Sequence, residues 1–97
     1  MSFRNYELMF IVRPDAGNDV ARERAAFYGN LVEELGGDVA EVDEWGTRRL
    51  AYEIDDFHEG FYVILDFSAN EDITREVDRR MKLDDTIMRL MLIKQED

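Results

Sequence analysis

The chain has 97 residues, one proline, six glycines and no cysteine, and its 23 acidic against 12 basic residues give a net charge of −11. That length holds one core, which buries roughly 60–70% of the unfolded chain's surface, and the 45% apolar share is globular in kind. The lack of cysteine excludes disulfides, iron–sulfur clusters and thiol chemistry, and a single histidine, His58, excludes multi-histidine metal sites.

From Asn5 to Arg13 the sequence alternates, with Tyr6, Leu8, Phe10 and Val12 on one face and Glu7, Met9, Ile11 and Arg13 on the other, which predicts a strand with a half-apolar second face. Pro14-Asp15-Ala16-Gly17 turns the chain. Asn18 or Asp19 is then placed to cap a helix whose stripe is Ala21, Ala25, Tyr28, Val32 and Leu35, with Val20 and Leu31 beside it, stopped by Gly36-Gly37.

Asp38 to Ile54 is β-type sequence interrupted at Trp45-Gly46, and is expected to be one long, bulged strand. A polar turn follows over Asp55 to Gly60. Phe61, Val63, Leu65 and Phe67 alternate with Tyr62, Ile64 and Asp66 in a further strand. Asn70 is placed to cap a second helix carrying Ile73, Val77 and Met81 at four-residue steps. After a connector from Lys82 to Asp85, Thr86 to Lys94 is apolar at nearly every position, as expected of a strand covered on both faces.

The order β-α-β-β-α-β over residues 1–97 predicts a single α+β ferredoxin-like domain, a four-stranded antiparallel sheet with two helices on one face. The other face would carry Met9, Ile11, Tyr62 and Ile64 with residues of the last strand, more apolar surface than an isolated monomer usually exposes, so a partner is expected to cover it. No apolar run approaches the 18 or so residues of a membrane span, and Met1 to Asn5 lacks a signal-peptide stretch, so a cytoplasmic protein without membrane contact is expected.

Catalysis finds no footing. There is no GxGxxG, P-loop, GxSxG or HExxH motif. The cluster Asp55, Asp56, His58 and Glu59 reads as a solvated turn rather than a metal or acid–base site, and no metal, cofactor or small-molecule substrate is expected. Glu59 to Phe67 departs from the aromatic RNA-binding strand signature, with a glutamate in place of its cation and core-register aromatics at 61 and 67.

The charge argues against unaided binding to nucleic acid, because phosphate neutralisation supplies most of that affinity. Arg75, Arg79 and Lys82 are interleaved with Asp72, Glu76 and Asp78, the pattern of an ion-paired helix face. Arg48 and Arg49 have no adjacent carboxylate, and Arg4, Arg89 and Lys94 lie on or beside the first and last strands, so these offer phosphate contacts. Trp45 suits either a core position at a bulge or an exposed anchor.

Four stretches together resemble the bacterial small-subunit ribosomal protein family numbered six: Asn5 to Pro14, Leu35-Gly36-Gly37-Asp38-Val39, Trp45-Gly46-Thr47-Arg48-Arg49-Leu50-Ala51-Tyr52-Glu53-Ile54, and Ile87 to Lys94. Gly60-Phe61-Tyr62 also fits, whereas Glu53 stands where the family commonly has proline. The resemblance implies a ferredoxin-like fold and a structural, non-enzymatic role on the ribosome. The protein would bind the central domain of small-subunit 16S ribosomal RNA, in the platform, as a heterodimer with the small basic ribosomal protein numbered eighteen. By position, Arg48, Arg49, Arg89 and Lys94 are the expected RNA or partner contacts, with Arg4 and Tyr6 as lesser candidates. Asp97 closely follows the last strand, so contacts of a long C-terminal tail with the partner are not expected. The alternatives are a dimeric ferredoxin-like ligand-binding or regulatory domain, and a small enzyme of that dimeric type.

Overall fold

The computed structural model describes residues 2–95. Its elements are β1 (Arg4–Val12), a 3-10 turn (Pro14–Ala16), α1 (Asn18–Glu34), β2 (Asp38–Ile54), β3 (Phe57–Ala69), α2 (Glu71–Lys82) and β4 (Ile87–Lys94). The antiparallel sheet has the order β2-β3-β1-β4, so the first strand is central and β2 and β4 are the edges. This is the predicted ferredoxin-like architecture.

The core lies between the sheet and the helices. Alternation places Tyr6, Leu8, Phe10 and Val12 beside Phe61, Val63, Leu65 and Phe67, and these pack on Ala21, Ala25, Tyr28, Leu31 and Val32 of α1 and Ile73, Val77 and Met81 of α2. Leu35 closes the predicted stripe but is 37% exposed, because it is already the C-cap. Beyond it Gly36, at φ +104°, and Gly37, whose N–H donates to Val32 O at 2.9 Å, complete the left-handed stop.

The cap of α1 differs from expectation. Gly17 is the N-cap and no side chain caps the helix, because the 3-10 turn at Pro14 brings the chain round one residue before Asn18. In α2 the expected cap is present: Asn70 Oδ1 accepts from Ile73 N at 2.9 Å. Glu71 and Asp72 in its first turn and Arg79, Arg80 and Lys82 in its last oppose the helix dipole favourably.

The approach to β4 is held by one carboxylate. Asp84 accepts from Tyr28 Oη at 2.6 Å and from Thr86 N and Oγ1 at 2.9 and 2.7 Å, with Arg24 Nη1 at 3.5 Å. Burial pushes the Asp84 carboxyl up, but the hydrogen bonds and the guanidinium outweigh it and hold the group below its ordinary value. Burial, reinforced by that carboxylate, raises the Tyr28 phenol above the usual tyrosine range.

β2 is one long strand, as expected, with register breaks at Val39/Glu41, Glu44/Gly46 and Arg49/Ile54. Gly46 sits at φ +80°, a conformation that glycine adopts without a Cβ penalty. The β2–β3 turn is shorter than predicted: Asp55 and Asp56, at φ 51° and 67°, make a two-residue hairpin, and Phe57 to Gly60 already belong to β3. Aspartate tolerates the left-handed region through local hydrogen bonding, which a generic polar-turn pattern does not reveal.

At the third break Leu50 to Glu53 face only His58, and the hairpin buckles. Its far half leans across the sheet until Tyr52 of β2 reaches Arg89 of β4, at the opposite edge. Beneath it Ile11 and Leu50 are buried, although neither belongs to the main core. Gly60 makes this closure feasible, because a Cβ there would collide with the Ile11 side chain and crowd the Val12 carbonyl.

β4 is not covered on both faces. Leu90 and Leu92 pack on the core, whereas Met91 and Ile93 are 49% and 43% exposed on the other side. An unbroken apolar run cannot distinguish a strand covered by its own fold from an edge strand with an apolar outer face.

Candidate RNA and partner interface

Strand pairing orders the helix-free face into rows. Glu41, Asp66, Glu7 and Ile93 form the first, Asp43, Ile64, Met9 and Met91 the second, and Gly46, Tyr62, Ile11 and Arg89 the third. Acid therefore lies at one end, apolar side chains in the middle and a cation at the other end. Trp45 lies flat on Tyr62, with ring centroids 6.4 Å apart and planes 17° from parallel, while its Nε1 donates to Asp43 Oδ2 at 2.9 Å. At 45% exposure it is an open-face residue rather than a core one.

The cations divide by what they already hold. Arg13, Arg22, Arg24, Arg75, Arg79, Arg80 and Lys82 each pair with a carboxylate. Glu76 takes both Arg79 and Arg80, and those hydrogen bonds hold its carboxyl at about 2. Arg4, Arg48, Arg49, Arg89 and Lys94 make no ion pair among the described residues. These are the basic positions singled out from the sequence.

The structure separates these residues into two groups. Arg4 and Lys94 lie at one end of the central strands, where they line a groove of about 260 Å³ with Ser2, Tyr6 and Glu71. Arg48 and Arg49 line another, of about 400 Å³, with Thr47, His58 and Glu59. Arg89 is opposite Ile11, at the far end of β1 from Arg4; a strand rise of about 3.3 Å per residue separates these ends by roughly 23 Å. Arg89 is engaged but not neutralised: its Nη1 donates to Tyr52 Oη at 2.7 Å and its guanidinium lies 5.4 Å from the centre of that ring. Arg48 donates only to the neighbouring carbonyl of Thr47, at 3.1 Å.

Tyr6, a lesser contact candidate, lies on the inward face where the alternation put it. It is 5% exposed, with its ring stacked on Phe67 at 5.8 Å, so the core holds the face that a base would need. It occupies the inward register of β1, and the alternation that predicted the strand already implied this. The sequence did not reveal Tyr52, which holds the hairpin over the sheet. Alternation places it on a strand without indicating what it faces.

Comparison with known proteins agrees with the fold. The family model of ribosomal protein S6 matches residues 5–94. Small ribosomal subunit protein bS6 of Desulforamulus reducens is 41% identical over 92 residues, spanning 95% of this chain and 97% of its own length. The bS6 of Exiguobacterium sibiricum is 41% identical over 93 residues, spanning 96% and 98%. The crystal structure of 30S ribosomal protein S6 from Thermotoga maritima superposes with a TM-score of 0.91 at 26% identity, over 97% of this chain and 89% of that one. Fold and relatives together define a structural component of the small ribosomal subunit. Within that class the chain belongs to the ribosomal protein S6 family.

Proposed function

We propose that the protein binds the central domain of small-subunit 16S ribosomal RNA, in the platform, as a heterodimer with the small basic ribosomal protein numbered eighteen. The observation that carries this is the division of the cations. In a chain of net charge −11, Arg4, Arg48, Arg49, Arg89 and Lys94 are left without a carboxylate among the described residues, and all lie on the sheet rather than the helices. Unpaired arginines fit phosphate, which takes the planar guanidinium in a two-pronged contact. They are too few and too dispersed to overcome the acidic excess alone. A cationic partner supplies the remaining phosphate contacts, and association of the two proteins raises RNA affinity through a joint surface.

Binding of a central-domain RNA fragment, measured with and without the basic partner across a salt series, tests this. Tight binding with the partner and weak binding without it is the expected result, and the slope against salt gives the number of phosphates the pair neutralises. Failure to bind in both cases, with a stable homodimer in solution, would favour the regulatory ferredoxin-like domain that the apolar sheet face also suits.

A further inference from the structure

We propose that Tyr52 is a positioning residue, which from the leaning β2–β3 hairpin holds the guanidinium of Arg89 ready to receive an RNA phosphate. The proposal rests on the reading that the chain binds ribosomal RNA, and it names how one contact of that site is prepared.

Packing does not account for Tyr52. It is 61% exposed, whereas Leu50 on the same strand is buried beneath the lean together with Ile11. The hydrogen bond that Tyr52 makes is to Arg89: its Oη accepts from Nη1 at 2.7 Å, and the guanidinium lies 5.4 Å from the ring centre. The two residues come from opposite edges of the sheet, so the tie exists only because the hairpin crosses β3 and β1. Arg48 and Arg49 lie at the root of that hairpin, immediately before its register break, and the tie therefore also fixes the segment that carries them.

The chemistry of the tie leaves Arg89 able to act. A phenol oxygen takes one N–H without cancelling the charge, and the ring face adds attraction on the same terms. Arg13, Arg22 and Arg79, by contrast, are each held by a carboxylate. Nε and Nη2 of Arg89 make no hydrogen bond among the described residues, so a fork of N–H groups is left for two phosphate oxygens. An arginine immobilised on binding loses rotamer freedom, and one already held loses less. Charge selects the ligand. The row that ends at Arg89 holds Gly46, Tyr62 and Ile11 and no carboxylate, which suits an anion and repels a cationic surface.

The test compares the unmodified chain, Tyr52→Phe, Arg89→Ala and the double variant, each with the basic partner, in binding a central-domain RNA fragment across a salt series. Partner affinity without RNA is measured in parallel. Tyr52→Phe keeps the ring and removes the acceptor; it is expected to weaken RNA binding about three- to tenfold with the salt slope unchanged. Arg89→Ala should weaken binding further and lower the slope by about one phosphate. In that background Tyr52→Phe should have no further effect, and partner affinity should be the same throughout. Tyr52→Phe binding RNA as tightly as the unmodified chain would overturn the proposal. So would an unchanged salt slope in Arg89→Ala, since the tie would then only fasten the hairpin. An equal loss from Tyr52→Phe with and without Arg89 would show that the tyrosine acts on its own. Loss of partner affinity would move the tie to the protein interface, also against the proposal. An unmodified pair that ignores the RNA would instead overturn the reading on which the proposal rests.

Discussion

Arg48 and Arg79 are the same residue type in very different states. The guanidinium of Arg79 is engaged by both carboxylate oxygens of Glu76, at 2.9 and 2.8 Å, whereas Arg48 holds only a neighbouring carbonyl. An arginine already paired must give up its partner before it can bind a phosphate, and one left unpaired gains the whole interaction. The double reversal Arg48→Glu with Arg49→Glu is therefore expected to leave the far-ultraviolet circular dichroism unchanged and to weaken RNA assembly by about 2–3 kcal/mol. Unchanged assembly at moderate salt would remove both residues from the interface. This distinction was legible in the sequence, because a helix brings carboxylates three or four positions away against an arginine, as Asp72 and Glu76 show, whereas a strand holds residues four positions apart, such as Glu44 and Arg48, roughly 13 Å from each other. Tyr6, a lesser contact candidate, is buried, as the alternation of β1 already implied.

Among the elements, the β2–β3 hairpin departs furthest from an ideal strand pair. Its bend joins Gly46, the break at Leu50 to Glu53, the two-residue turn and Gly60 into one device that carries Tyr52 to Arg89. Gly60→Ala is expected to destabilise the protein by about 1–3 kcal/mol, read as a lower urea midpoint, because the methyl group must displace the Ile11 side chain or the hairpin backbone. A midpoint equal to that of the parent would show that the hairpin gives way without loss. Element order and type followed from periodicity, since Leu8, Phe10, Val63 and Leu65 alternate with little ambiguity. The lean of the hairpin was not legible, because Leu50, Tyr52 and Ile54 alternate as they would in a flat strand. The burial of Leu50 and the tie from Tyr52 both depend on a strand at the far edge of the sheet.

At the scale of the molecule, the acidic excess and the Asp84 network act in opposite directions as pH falls. Acidification first relieves repulsion among 23 carboxylates, which favours the folded state. Asp84 and Glu76 have folded-state values below their ordinary ones, so their contributions are present above roughly pH 4 and are lost as pH drops through the folded values. The melting temperature is therefore expected to rise gently towards about pH 5 and to fall below about pH 4. Asp84→Asn should flatten that acid limb. A melting temperature still climbing at pH 3 would show that repulsion outweighs the network. The net charge was evident from composition alone. That Asp84, one of two adjacent aspartates in a connector, anchors α1 to the start of β4 was not, since Tyr28 lies 56 positions away.

Trp45 is the sole tryptophan, and it lies half-exposed against Tyr62 on the helix-free face, next to the row that ends at Arg89. The chain thus carries a built-in optical probe on that surface. A ligand seated on this part of the sheet would dry the indole and shift its emission to shorter wavelength, whereas one held only at Arg4 and Lys94, at the other end of the strands, would leave the spectrum almost unmoved. Fluorescence of the unlabelled chain therefore reports which end of the sheet a ligand occupies.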